Sequence, residues 1–404
     1  MIRIGRGEEP AALREARWWR LAQAREERRK GELPEDFFDG WEGARETLYE
    51  QQMGLCAFCE MRLLLRGSPV EHFRPKQRVV RIDWTSLEDG ADEVDQHRFR
   101  RGLPPVERSG LEFIRWQREE GYWWLAWTWE NLFFGCTSCN SGYKSTRFPL
   151  EDGSPVARQL GDAVGDERPL LLDPSADRPM DHIQFRRVAG KWTPGARDGS
   201  PRGAWTIALL GLADPDHLDH YTSHVAPFVE DLHTLRERVR AALDDPDRAH
   251  RDAAVEAWEA LRGKVFEPRQ PFQALMWDVL DDAVPEAHRR VLGLDHPRPD
   301  AHHPAPSAVR DHAPQGIEDV TDDELRWSLR CVWPKSTREE KLRPVLESVC
   351  RAAPRTAAWF ACVLGRSEET VREHLRALVG ASRLMRNDVD GTYAPLPAAP
   401  TAPR

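Results

Sequence analysis

No run of about eighteen apolar residues occurs in the 404-residue chain, so no transmembrane helix is expected. An apolar leader is missing as well. The opening residues, MIRIGRGEEPAALREARWWR, place charges where a signal peptide needs an apolar stretch, and a cytoplasmic location is expected. A positive excess is also lacking. Lys and Arg number 58 against 67 Asp and Glu, a formal net charge of -9, which argues against a protein that coats nucleic acid by charge alone. A local basic strip can still hold phosphates while acidic surface elsewhere sets the total. No internal repeat is present.

Cysteine is scarce, at seven residues, and in a cytoplasmic chain these are expected to be reduced. Cys331, Cys350 and Cys362 stand among helical patterns and read as buried thiols. The other four form two Cys-x-x-Cys pairs far apart in sequence, Cys56 with Cys59 (CAFC) and Cys136 with Cys139 (CTSC). A two-residue gap lets both sulfurs of a knuckle face one ion, and Zn²⁺ favours four thiolates in a tetrahedron. Redox Cys-x-x-Cys motifs occur singly beside a strand-helix unit, so the matched pair reads as a structural zinc site. Four thiolates fill the ion's shell, which makes it a staple and not a catalyst.

Polar residues cluster around these knuckles in the sequence. Glu71 and His72 lie in PVEHFRPK, Asn131 in WTWENLFFGC, and Asn140 directly after Cys139 in CTSCNSGYKS. A neutral His can take a proton from water near pH 7, and carboxylate and amide oxygens are hard donors suited to a Mg²⁺-like ion. Base, orienter and Lewis acid are the parts that phosphodiester hydrolysis needs. Taken singly, each has a plainer reading: a hydrogen-bonded His-Glu pair, or caps at Asn131 and Asn140. The aromatic run YWWLAWTWENLFF (122–134) reads as core filler before it reads as a base-stacking platform.

The order Cys-x-x-Cys, acid-His, Asn-Leu, Cys-x-x-Cys-Asn resembles the HNH nuclease family. The wording CAFCE, VEHFRPK, YWWLAWTWENLFFGCTSCNSGYKSTRFPL and PLLLDP looks like the HNH nucleases of Septu-type and retron-associated anti-phage systems. The resemblance is strong over about 55–150 and weaker to about 230. It implies a ββα-metal core that hydrolyses nucleic acid, with DNA favoured. His72 would be the general base, Asn131 would orient the imidazole through its other nitrogen, and Glu71 and Asn140 would hold a catalytic Mg²⁺ or Mn²⁺. Lys144, Arg147 and Lys76 would steady the substrate's phosphates. It further implies a defence setting, with an ATPase or other defence-system partner.

The expected architecture is α+β. Residues 1–54 form a helical lead-in (helices over 10–30 and 35–54), 55–150 the zinc-stapled nuclease core, and 151–295 a mainly helical extension. An acidic loop is expected at 86–95. A Pro- and His-rich linker follows over 296–316, then a domain over 317–396 and a tail over 397–404. Residues 342–393 resemble a winged helix-turn-helix, with 367–380 as recognition helix, Arg372 and Arg376 facing DNA, and a hairpin around Asp390-Gly391. Two other readings compete: a non-catalytic, zinc-containing DNA-binding regulator, and an assembly component, homo-oligomeric or partner-bound, acting through this C-terminal domain.

Overall fold

The computed structural model describes residues 1–10, 40–267, 269–294, 354–364 and 367–396, with scattered positions in 13–38, 298–299 and 343–350. The linker, apart from Arg298 and Pro299, lies outside the described residues, as do 317–342 and the tail. No helix among the described residues is long and apolar enough to cross a membrane. The mixture of helices and small sheets agrees with an α+β class.

Two short strands sit at the centre. β1 (Val70–His72) pairs antiparallel with β4 (Leu132–Phe134), with His72 opposite Leu132 and Val70 opposite Phe134. Every residue of both strands is buried, so β4 reads as an apolar run, while β1 takes Glu71 and His72 inside with it. The free edge of β4 is closed by a side chain: Gln52, at the end of the helix Arg45–Gln51, accepts from Phe134 N at 2.9 Å and donates to Phe134 O at 2.7 Å. Buried strand edges need such partners, and one amide here supplies both.

β2 (Arg78–Leu87) and β3 (Ile114–Glu120) form a second antiparallel pair, whose Val79, Ile82 and Ile114 join the same core. Part of the acidic stretch expected as loop is helical: Asp92 caps the helix Glu93–Arg100 by accepting from Asp95 N at 2.7 Å. The aromatic run 122–134 is buried except for Glu130, as core filler requires.

The extension holds a hairpin that the sequence reading passed over, β5 (Ile183–Val188) with β6 (Lys191–Ala196). Its turn, Ala189-Gly190, has positive φ at both positions, the type I′ requirement, spelled with an Ala where Asn or Asp is usual. The helix Pro201–Leu209 adds Trp205 and Leu209 to the central core, and the helices from Pro215–Val225 to Glu286–Leu292 surround a second core containing Trp258, Leu235 and Leu275.

The lead-in is only partly helical. Described positions between 13 and 28 are helical, but 35–44 contains short 3₁₀ turns before the helix Arg45–Gln51. The first seven residues are not helical at all, and residues 1–6 are buried or half-buried against the core. Ile4 N donates to Pro174 O at 2.7 Å, and Arg6 donates to the carbonyls of Trp129 (2.7 Å) and Glu130 (2.9 Å). Burial lowers the Arg6 pKa to about 10, and its guanidinium lies 4.2 Å from the Phe133 ring centroid.

The C-terminal residues have their own small core, including Phe360, Leu375 and Tyr393. The helices Ala357–Leu364 and Glu368–Gly380 are followed by β8 (Leu384–Arg386) and β9 (Thr392–Pro395). β9 also pairs with β7 (Arg355–Thr356), giving the order β7-β9-β8. The expected Ser367 cap and hairpin around Gly391 are present.

Candidate active site and cysteine cluster

Both knuckles are held by backbone bonds that the spacing requires. In the first, Cys56 N donates to Met61 O and Glu60 N to Cys56 O, with Glu60 in the left-handed region (φ 62°). In the second, Cys139 N donates to Cys136 Sγ at 3.3 Å, while Cys136 N donates across to Cys56 Sγ at 3.3 Å. All four cysteines are free and buried, and their sulfurs lie within 4.8 Å of one another. Cys59 Sγ and Cys136 Sγ are 3.8 Å apart. Metal-sulfur bonds of about 2.3 Å give a tetrahedron with edges of about 3.8 Å, so the cluster fits one zinc ion. Hydrogen bonds from the Cys139, Cys56 and Cys59 thiols drive the Cys136 pKa far down, and Cys59 and Cys139 are driven up in turn. Cys56 is lowered as well, so two of the four sulfurs take charge at the expense of the other two, a conflict that a dication removes. Cys350 is buried as expected; Cys331 and the side chain of Cys362 lie outside the described residues.

Beside this cluster, β1 carries Glu71 and His72, and the residues after Cys139 form a π-helical segment, Ser138–Lys144. π-Helical turns concentrate at functional sites. His72 is buried, and its Nε2 donates to the carbonyl of Ala126 at 2.9 Å. A carbonyl only accepts, so Nε2 carries the proton and the neutral ring presents a bare Nδ1. Nδ1 has no hydrogen-bonding partner among the described residues. Burial, then the nearby Lys76 and Lys144 charges, hold the His72 pKa well below its usual value. The Trp41 ring stands edge-on to the imidazole at 5.6 Å, and the Lys76 ammonium lies 4.7 Å from the Trp41 ring centroid.

Asn131 does not touch the imidazole, contrary to expectation. Its Oδ1 accepts from Arg74 N at 2.7 Å, and its Nδ2 donates to Arg74 O (3.0 Å) and Leu125 O (3.1 Å). The amide's bonds are thus taken by backbone, and orienting the ring falls to Ala126. Asn131 acts instead on the strand leaving His72.

Lys144 is a second correction. It is fully buried and cannot face a substrate phosphate. Its Nζ donates to Glu71 Oε1 at 2.5 Å and to His72 O at 3.0 Å. A buried ammonium is tolerable only when paired in this way. Burial raises the Glu71 pKa and the Lys144 charge opposes that rise. Glu71 Oε2 has no hydrogen bond to a described residue. Asn140 lies one turn before Lys144 and is half-buried, and its side chain has no such bond either. These two oxygens are the hard donors left for a divalent ion, a sparse set of the kind Mg²⁺ completes with water and phosphate.

Arg147 donates to Tyr143 O at 3.0 Å and is half-buried. Arg372 is half-buried and Arg376 exposed, and both are bound within their own helix: Arg372 to Glu368 and Glu369, Arg376 to Glu369 at 2.8 Å. Sequence reasoning missed Trp41, Arg6, Ala126 and the buried acid Glu167. Glu167 accepts from Arg74 Nε (2.9 Å), the Tyr122 hydroxyl (2.7 Å) and Ala157 N (3.0 Å). Ala126 acts through its carbonyl, which no residue type signals, and the other three depend on contacts across long sequence separations.

No family model matches the chain, and no solved structure does. Among curated proteins it is 25% identical over 261 residues to the Septu protein PtuB of Bacillus mycoides (strain KBAB4), covering 61% of this chain and 76% of that protein.

Proposed function

We propose that the chain is an HNH-type, metal-dependent endonuclease of a Septu-type anti-phage system, hydrolysing nucleic-acid phosphodiester bonds and favouring DNA. The observation that carries this reading is the His72–Ala126 bond, which leaves a bare imidazole nitrogen beside Glu71 in a buried setting. In this reading His72 Nδ1 takes the proton of the attacking water. Glu71 Oε2 and Asn140 Oδ1 would hold Mg²⁺ or Mn²⁺, which when bound neutralises charge on the phosphate and the departing 3′-oxygen. Lys144 fixes the Glu71 carboxylate from behind, the way outer-shell donors orient metal ligands. Asn131 and Arg74 hold the strand after His72, and the zinc cluster fixes the π-helical segment relative to β1. The likeness to PtuB supports the defence setting, with an ATPase or other system component as partner.

Incubating the purified chain with supercoiled plasmid, and separately with RNA, in Mg²⁺ or Mn²⁺ tests the reading. New 5′-phosphate ends on DNA are expected, and intact substrate both with and without partner proteins would reject it. The regulator reading is less favoured, because intrahelical carboxylates compensate the charge of Arg372 and Arg376.

A further inference from the structure

Two arginines from distant parts of the sequence meet at one tyrosine on the outer side of the π-helical segment. Arg147 Nη1 donates to the Tyr143 carbonyl at 3.0 Å, and the Arg108 guanidinium lies 4.5 Å from the Tyr143 ring centroid. Arg147 also lies 5.7 Å from the half-buried Trp116 ring. Arg147 has no ion pair among the described residues, and Arg108 has one long one. Asp214 lies 3.9 Å from Arg108 Nη1, an ion pair too long to be a hydrogen bond, and also hydrogen-bonds Tyr143. Arg108 Nε is buried and without a hydrogen-bond partner. Three other buried or half-buried arginines lie closer to an acid: Arg74 to Glu167, Arg81 to Glu119 and Arg202 to Asp177. Two like charges held together with a single weakly placed counter-ion are costly unless an anion completes them. Burial and the Arg108 charge both lower the Arg147 pKa, as such crowding demands.

We propose that Arg108 and Arg147 form a phosphate subsite that grips the sugar-phosphate backbone of the nucleic acid next to the scissile bond. This rests on the nuclease reading above. Tyr143 directly precedes Lys144, whose ammonium reaches Glu71 and the His72 carbonyl, so the subsite adjoins the proposed reaction centre along one helix. Guanidinium forks match phosphate oxygens, and the flanking Tyr143 and Trp116 rings pre-orient the forks without neutralising them. Arg108 comes from the 3₁₀ segment Arg108–Phe113 leading into β3, which gives the β2–β3 pair a role in holding substrate.

The test uses the full chain carrying His72→Ala, so that substrate survives, and reads binding of a fluorescein-labelled duplex by anisotropy over a salt series. Arg108→Gln and Arg147→Gln should each weaken binding about tenfold near 50 mM salt and lower the slope of log K against log salt by about one. Arg108→Lys and Arg147→Lys should restore the slope, which a merely unfolded variant cannot do. Unchanged affinity and slope in both Gln variants, while the parent binds duplex and the His72 chain cleaves it, would overturn the subsite and leave the nuclease reading intact. A parent that binds neither duplex nor single strand would overturn both.

Discussion

The carboxamide of Asn131 clasps both backbone groups of Arg74, accepting from its N–H at 2.7 Å and donating to its carbonyl at 3.0 Å. Arg74 stands two residues after His72, so an amide distant in sequence decides where the strand carrying the imidazole ends. Asn131→Ala strands the buried N–H and carbonyl of Arg74 and removes one of two donors to the Leu125 carbonyl. It should cost about 2–4 kcal/mol of stability and most of the cleavage rate. Asn131→Asp, which keeps only the acceptor, should fall between. Urea unfolding beside a cleavage assay checks both.

The cysteine cluster predicts one zinc per chain by elemental analysis, and its loss in Cys139→Ser. Structural zinc contributes roughly 10 kcal/mol to folding in small sites. Chelation should therefore abolish the cooperative unfolding transition rather than lower it slightly. A chelated chain with an unchanged melt would remove the staple.

Lys144 and Glu71 form a buried pair, with side-chain exposures of 1% and 5%. Breaking it with Lys144→Met leaves an uncompensated carboxylate and should cost about 3–5 kcal/mol. The double variant Glu71→Gln with Lys144→Met should recover part of that loss. A double-mutant cycle in urea measures the coupling, and additive losses would contradict the pairing.

Glu167 carries a matching expectation. Glu167→Gln weakens the anchor of Arg74 and should cost about 3 kcal/mol. Tyr122→Phe, which removes one of its three donors, should cost about 1 kcal/mol. Denaturant midpoints separate the two.

Local spacing made part of this legible. The knuckles, the His72 and Asn140 positions, the capped helix at Ser367 and the Gly391 turn depend on residues a few positions apart, and the sequence states them directly. The Ala189-Gly190 hairpin was hidden because Ala is a rare spelling of a left-handed turn position. The inward turn of Lys144 could not be read, since a lysine is exposed by default and only Glu71 and the His72 carbonyl, on the distant strand β1, reverse that. Asn131 was expected at the imidazole because residue type alone does not say whether an amide meets a ring or a backbone. The buried opening segment reads as polar, and only Trp129, Glu130 and Phe133 show why Arg6 is inside.

Cleavage of plasmid DNA in Mn²⁺ by the wild-type chain and by His72→Ala, with zinc content and melting temperature taken on the same samples, bears most directly on the account. A loss of at least about 100-fold in rate, with zinc and melting unchanged, is the predicted result for removal of a general base. Equal rates from the two chains would contradict it.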